Sequence, residues 1–171
     1  MNNNHPNYVG HFSVGPTPYL KEALAETDLL LAIGPRLGEM TTQGYTWLKP
    51  PVIEQDLVHV FPQPEELGRV YEPALGLAAD MESFCAAMAD WDPIAEADFS
   101  MRTQELRQKF ENYISPEAVA DDPLAPIFAH LNEALPEDAI LCNGAGNYAA
   151  WLHRFYKYRS AGSQLAPTSG S

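Results

Sequence analysis

The sequence predicts an α/β fold with parallel strands, and two observations carry that expectation. Short unbroken apolar runs end at glycine or proline, as suits strands covered on both faces, and stretches with apolar residues three and four apart lie between them. Fifteen prolines and eleven glycines in 171 residues add many tight connections between short elements, which favours α/β over a helical bundle.

The first sixteen residues, ending His11-Phe12-Ser13-Val14-Gly15-Pro16, hold loop formers without a helical period and read as an irregular lead-in. Thr17 is placed to cap a helix with Pro18 at its first position, where the missing N–H costs nothing. Leu20, Ala23 and Leu24 then share a face, and the helix runs to about Glu26. Asp28 to Ile33 is an apolar run ended by Gly34 and Pro35. Leu57 to Phe61 is a second, stopped by Pro62 and Pro64, since proline cannot donate to a central ladder. Leu75 to Ala79 is a weaker third strand, after which Asp80 caps a helix whose Phe84, Ala87 and Met88 repeat at helical spacing. Residues 17–89 thus give helix, strand, loop, strand, turn, strand, helix, the closing part of an α/β unit whose opening is expected to lie outside this sequence. The first domain is drawn at 1–90.

Trp91-Asp92-Pro93 breaks the pattern, and 91–122 reads as a linker carrying an exposed helix from about Met101 to Ile114, with Leu106, Phe110 and Ile114 four apart. Asp122-Pro123 and Pro126 offer starts for the next helix, where Leu124, Ile127, Phe128, Leu131 and Leu135 form an amphipathic stripe that ends at Pro136. Ala139 to Cys142 reads as a buried strand, Asn143-Gly144-Ala145-Gly146-Asn147 as a glycine-rich turn, and Tyr148 to about Tyr158 as helix. Residues 123–171 are therefore the opening βα unit of a second α/β domain.

Ten Lys and Arg against 23 Asp and Glu give a net charge of −13. That favours solubility and repels polyphosphate backbones, so no nucleic-acid partner is expected. Two cysteines cannot make a disulfide framework. With no signal peptide and no apolar run near the roughly 18 residues a span requires, the chain is expected to be cytoplasmic and without a membrane partner. The five histidines show no pair at metal-ligand spacing, Cys85 and Cys142 fall where small apolar residues are wanted, and no serine or cysteine has a local base. No metal ligand and no nucleophile is assigned.

The chemistry concentrates at strand ends. In an open parallel sheet ligands bind beyond the carboxyl ends of strands, where glycines permit close backbone approach and N–H groups face an anion. The turn Gly144-Ala145-Gly146-Asn147 fits that description. Its spacing does not complete the dinucleotide fingerprint, because Ala149 stands at the third glycine and no acidic residue follows about 20 positions on. Gly34-Pro35-Arg36 occupies the same position after the first strand, where Arg36 could pair with a phosphate or make a structural salt bridge. Arg154, Lys157 and Arg159 form the densest basic cluster, read as a solvated helix face. On these residues alone a non-enzymatic nucleotide-binding or scaffolding α/β domain stays open beside an enzyme.

The order of several motifs resembles one family. His5-Pro6-Asn7-Tyr8-Val9-Gly10, Asp28 to Arg36, Val58-His59-Val60 and Ala79-Asp80 look like the central domain of thiamine-diphosphate-dependent enzymes of the acetolactate synthase type. Ile140 to Tyr156 and Thr168-Ser169-Gly170-Ser171 look like the opening of their carboxy-terminal cofactor domain. The resemblance implies an incomplete Rossmann-like central domain and then a truncated cofactor domain. It implies that Gly144, Ala145, Gly146 and Asn147 contact the diphosphate of thiamine diphosphate and that the carbonyl of Gly170 meets its aminopyrimidine.

In the complete enzyme the resemblance implies Mg2+, a 2-oxo acid such as pyruvate as substrate, carbanion transfer to an acceptor after carbon dioxide is lost, and a homo-oligomer, dimer or tetramer, with the cofactor between subunits. The glutamate that activates the pyrimidine and the acidic and asparagine motif that holds magnesium have no counterpart in this sequence, so no catalytic residue is assigned and the chain alone is expected to be inactive. The central domain also resembles a flavin site, with Gly34, Arg36 and Asp80 at matching positions. Phe61 stands where an acidic residue would meet the ribose and Leu37-Gly38-Glu39-Met40 lacks the expected Asp and Arg, so a vestigial nucleotide site is favoured over bound FAD. Gly146-Asn147 replaces the usual Gln-His pair, which leaves decarboxylase beside carboligase activity.

Overall fold

The computed structural model describes residues 2–12, 15–92, 98–119 and 121–167. The chain divides into two compact units, one formed by Met1–His11 with Asp98–Ser171 and the other by Phe12–Ala97. Residues 168–171, among them Gly170, which the resemblance assigns to the opening of the cofactor domain, lie outside the described residues.

The Phe12–Ala97 unit runs α1 (Leu20–Ala25), β1 (Leu29–Ile33), β2 (Asp56–Phe61), a 3-10 turn (Pro64–Glu66), β3 (Leu75–Ala78) and α2 (Met81–Ala89). The strands are parallel in the order β1-β2-β3, with Leu31 opposite Val58 and Val58 opposite Leu75. The α/β class with a parallel sheet is as the sequence predicts. The first helix starts at Leu20 without a side-chain cap rather than after a Thr17 cap; Thr17 is buried, and its carbonyl accepts the Leu20 amide at 3.1 Å. Asp80 does cap α2, accepting the Ser83 amide at 2.9 Å.

Leu24, Ala32, Leu37, Leu48, Leu57 and Tyr71 form the core of this unit on one face of the sheet. Its polar groups are satisfied there, as burial requires: Tyr71 donates to the Leu48 carbonyl at 2.8 Å and Gln55 to the Leu24 carbonyl at 3.0 Å. Cover on both faces holds for β2, where Leu57, His59, Val60 and Phe61 are buried. It fails for β1 and β3. Both are edge strands, and Leu29, Leu31 and Leu75 are exposed at the amino end of the second face.

The other unit runs α3 (Ser100–Ile114), a 3-10 turn (Pro116–Val119), α4 (Ala125–Ala134), β4 (Leu141–Cys142), α5 (Ala149–Phe155) and β5 (Gln164–Leu165). Leu152, Tyr156 and Tyr158 form its core with Phe128, Leu131, Leu135 and Leu141. Although α3 exposes much of its surface, its predicted stripe is used: Phe110 and Ile114 are buried, and Phe110 meets Tyr8 edge to face at 5.1 Å. Two expectations are corrected. β4 is a two-residue strand rather than a buried four-residue one, with Ile140 62% exposed, because it pairs only with the equally short β5. Helix α5 stops at Phe155, and Tyr156 and Tyr158 continue in extended backbone so that both rings can reach the core.

Candidate functional site

The strand, turn and helix around Gly144 form as the sequence predicts, though on a smaller scale. Parallel pairing fixes the end of β4, since the Leu141 amide donates to the Ser163 carbonyl at 2.9 Å and the Asn143 amide to the Leu165 carbonyl at 3.0 Å. The chain then turns through Gly144, Ala145, Gly146 and Asn147. The carbonyls of Gly146, Asn147 and Tyr148 accept the amides of Ala149, Ala150 and Trp151 at 2.9, 3.1 and 3.2 Å, which starts α5. Gly146 is half-buried and the other three turn residues are exposed. No acceptor among the described residues takes the amides of Gly144 through Asn147, and consecutive unsatisfied amides suit anion oxygens. With only seven residues, α5 adds little dipole of its own. Beside the turn, Asn143 donates through its amide nitrogen to the Gly144 carbonyl at 3.0 Å, while its Oδ1 is buried without a donor. As donors the turn amides fit a diphosphate, whereas the Asn143 Oδ1, an acceptor, does not.

Tyr148 was not singled out from the sequence, yet it controls the space around both glycines. A Cβ on Gly144 would stand 2.6 Å from the Tyr148 hydroxyl oxygen, and a Cβ on Gly146 would stand 2.2 Å from ring carbon Cε1. No spacing rule signals this, because the contact depends on the side-chain rotamer.

At the carboxyl edge of the three-stranded sheet, Gly34 and the start of α2 come together. Gly34 has φ 85°, its amide donates to the Val60 carbonyl at 2.9 Å, and a Cβ there would lie 2.9 Å from Met81 Sδ. Arg36 takes the salt-bridge alternative, with Nε 3.9 Å from Glu66 and its guanidinium 5.8 Å from the centroid of Phe61. Asp80 is exposed and holds the Ser83 amide, which lowers its pKa. His59, buried in β2, places Nε2 2.8 Å from the Pro35 carbonyl; an acceptor there makes Nε2 the protonated nitrogen. Gly34 and Asp80 are thus engaged in the fold, while the Arg36 side chain stays 68% exposed.

The reading of Arg154, Lys157 and Arg159 as a solvated face is overturned for the two arginines. Arg154 donates to the Tyr113 carbonyl at the end of α3 at 2.8 Å and stacks 4.1 Å from the Tyr113 ring centroid. Arg159 donates to the carbonyls of Asn132 and Leu135 at the end of α4, and the Lys157 amide donates to the Asn132 side chain at 2.7 Å. Helix C-termini leave carbonyls unpaired, and these arginines satisfy them. Cys85 and Cys142 are exposed rather than packed: α2 buries no residue completely, and Cys142 lies on the open side of a two-stranded sheet. Among the described residues no three His, Cys, Asp or Glu converge as metal ligands, and no helix is long and apolar enough to cross a membrane.

A parallel-sheet unit together with a second unit built on a strand, a glycine turn and a helix defines an α/β protein. Residues 1–88 match the family described as thiamine pyrophosphate enzyme, central domain. The chain is 29% identical over 163 residues to acetolactate synthase 2, chloroplastic, of Nicotiana tabacum, covering 90% of this chain and 23% of that protein. It is 22% identical over 148 residues to the acetolactate synthase isozyme 2 large subunit of Escherichia coli, covering 86% and 26%. It is also 27% identical over 157 residues to a putative thiamine pyrophosphate-containing protein of Bacillus subtilis, covering 90% and 26%. The chain belongs to the thiamine pyrophosphate enzymes, with acetolactate synthases among its relatives, and it spans about a quarter of the length of these curated proteins.

Proposed function

We propose that the chain is part of a thiamine-diphosphate-dependent enzyme of the acetolactate synthase type, in which residues 1–90 belong to the central domain, 91–122 connect, and 123–171 open the cofactor domain. The single observation that carries this is the exposed turn Gly144-Ala145-Gly146-Asn147, whose amides have no acceptor among the described residues, in a chain of that family. The turn holds the diphosphate through those amides, and the Gly170 carbonyl receives the aminopyrimidine. When bound, thiamine diphosphate supplies the electron sink for decarboxylation of a 2-oxo acid such as pyruvate. Mg2+ accompanies the diphosphate, and the complete enzyme is a cytoplasmic homo-oligomer acting as a carboligase or decarboxylase. Gly34, Arg36 and Asp80 form a vestigial nucleotide site, the hydrogen bonds of Gly34 and Asp80 within the fold favouring structural duties over FAD.

Only one wall of the cofactor site is supplied here, and exposed amides bind a diphosphate weakly. The chain by itself therefore binds thiamine diphosphate with magnesium in the millimolar range, on the order of −4 kcal/mol, and releases no carbon dioxide from pyruvate. Amide shifts of a 15N-labelled sample that move at residues 144–147 during titration are the expected result. Shifts confined to other residues would refute the site, and micromolar affinity by calorimetry would refute its being a single wall.

A further inference from the structure

We propose that Tyr148 is the positioning residue of the glycine turn: its ring, laid against Gly144 and Gly146, holds the backbone in the one shape that points the amides of residues 144–147 at a diphosphate. This rests on the turn being the diphosphate site. Neither glycine has a positive φ, so backbone conformation is not what excludes a side chain there. Space is. A Cβ on Gly146 would meet ring carbons Cε1 at 2.2 Å, Cδ1 at 2.5 Å and Cζ at 3.1 Å, and one on Gly144 would meet the hydroxyl oxygen at 2.6 Å. The ring thus fills the place of two side chains and spans the turn from one glycine to the other. At 56% exposure Tyr148 is a surface residue, so burial in the core is not what it contributes. A turn made of two glycines would otherwise be loose, because glycine has the most conformational freedom to lose on ordering, and freedom kept until binding weakens a complex.

The contacts separate the ring from its hydroxyl. Tyr148→Phe keeps the carbons against Gly146 and removes only the atom nearest Gly144, leaving Cζ 3.9 Å from a Cβ there, an ordinary van der Waals distance. Gly144→Ala therefore leaves the ring in place in a Tyr148→Phe background and pushes it aside in the wild type, whereas Gly146→Ala displaces it in either. Two readouts on the 15N-labelled chain test this: titration with inorganic pyrophosphate and magnesium followed at residues 144–147, and amide hydrogen exchange at the same residues. Tyr148→Phe should match the wild type in both. Tyr148→Ala and Gly146→Ala should bind pyrophosphate about five- to tenfold more weakly, the cost of ordering one or two residues, and exchange these amides faster. Wild-type affinity and exchange in Tyr148→Ala would overturn the positioning role while leaving the site standing. A wild-type chain whose turn does not respond to pyrophosphate at all would instead remove the diphosphate site and this role with it.

Discussion

His11 and His153 stand ring against ring, with centroids 6.3 Å apart. Burial first, and then His153, lower the His11 pKa from its ordinary 6.5. In the folded chain His11 therefore resists a proton that the unfolded chain takes up near pH 6.5. As pH falls below that value the unfolded state binds more protons and stability declines, until pH reaches the lower folded pKa and the dependence on this residue ends. The slope is that of less than one proton, under ~1.4 kcal/mol per pH unit. Urea unfolding of the wild type and His11→Gln between pH 7 and 5 measures it, and the variant should lose less stability on acidification. Equal slopes would mean that His11 titrates alike in both states. Gly34 is a second residue whose identity is dictated locally. At φ 85° an alanine is strained, and its methyl would push Met81 Sδ from 2.9 Å. The sulfur can rotate away, so Gly34→Ala should cost mainly the backbone strain, about 1–2 kcal/mol, read as a lower urea midpoint at an unchanged slope.

Arginines tie elements together through backbone carbonyls. Arg107 on α3 reaches the carbonyls of Asn3, His5 and Tyr8 at 2.8, 3.2 and 2.9 Å, its side chain only 15% exposed, while Nε pairs with Glu111. Residues 2–11 have little secondary structure of their own, so this one guanidinium nitrogen, Nη1, fastens them to the helix. Removing it in Arg107→Ala should destabilise the unit by ~2–3 kcal/mol, since charged donors are lost and carbonyls left unpaired. Arg107→Lys should recover only part, because a single ammonium can replace Nη1 at the carbonyls but has no second nitrogen to keep the Nε pairing with Glu111. Thermal unfolding with hydrogen exchange at Tyr8 checks both variants, and full recovery by lysine would show that charge alone matters. Such ties were not legible in the sequence: Arg107 and Asn3 are 104 positions apart, and Arg154 and Arg159 looked like a charged surface because helix ends at Tyr113 and Asn132 carry no marker of their partner. What was legible had local causes. Glycine and proline ended β1 and β2, Asp80 capped α2, and the apolar stripe with Pro126 set α4. β5 was missed because two residues contain no period, and it forms only where β4 offers an edge. At the candidate site the glycine turn was legible from composition, and the ring that shapes it was not.

Across the whole molecule, charge and apolar surface oppose each other. The net charge of −13 repels a second copy, while Leu29, Leu31 and Leu75 stay exposed on one face of a three-stranded sheet whose outer strands, β1 and β3, keep an edge that no strand among the described residues pairs. Ile140 and Leu165 add exposed apolar surface at β4 and β5. Apolar faces and free edges associate unless something holds copies apart, and here that is long-range repulsion, which salt removes: the screening length falls from about 30 Å at 0.01 M to about 8 Å at 0.15 M. The chain should therefore be closest to monomeric in dilute buffer and self-associate as salt is added, the opposite of an assembly held by ion pairs. Light scattering across that range measures it. Leu31→Lys, which places a charge in the middle of the exposed face, should move the onset to higher salt. A single monomeric species at every ionic strength would show that these faces are too small to drive association, and dissociation on adding salt would show that ion pairs hold the copies together.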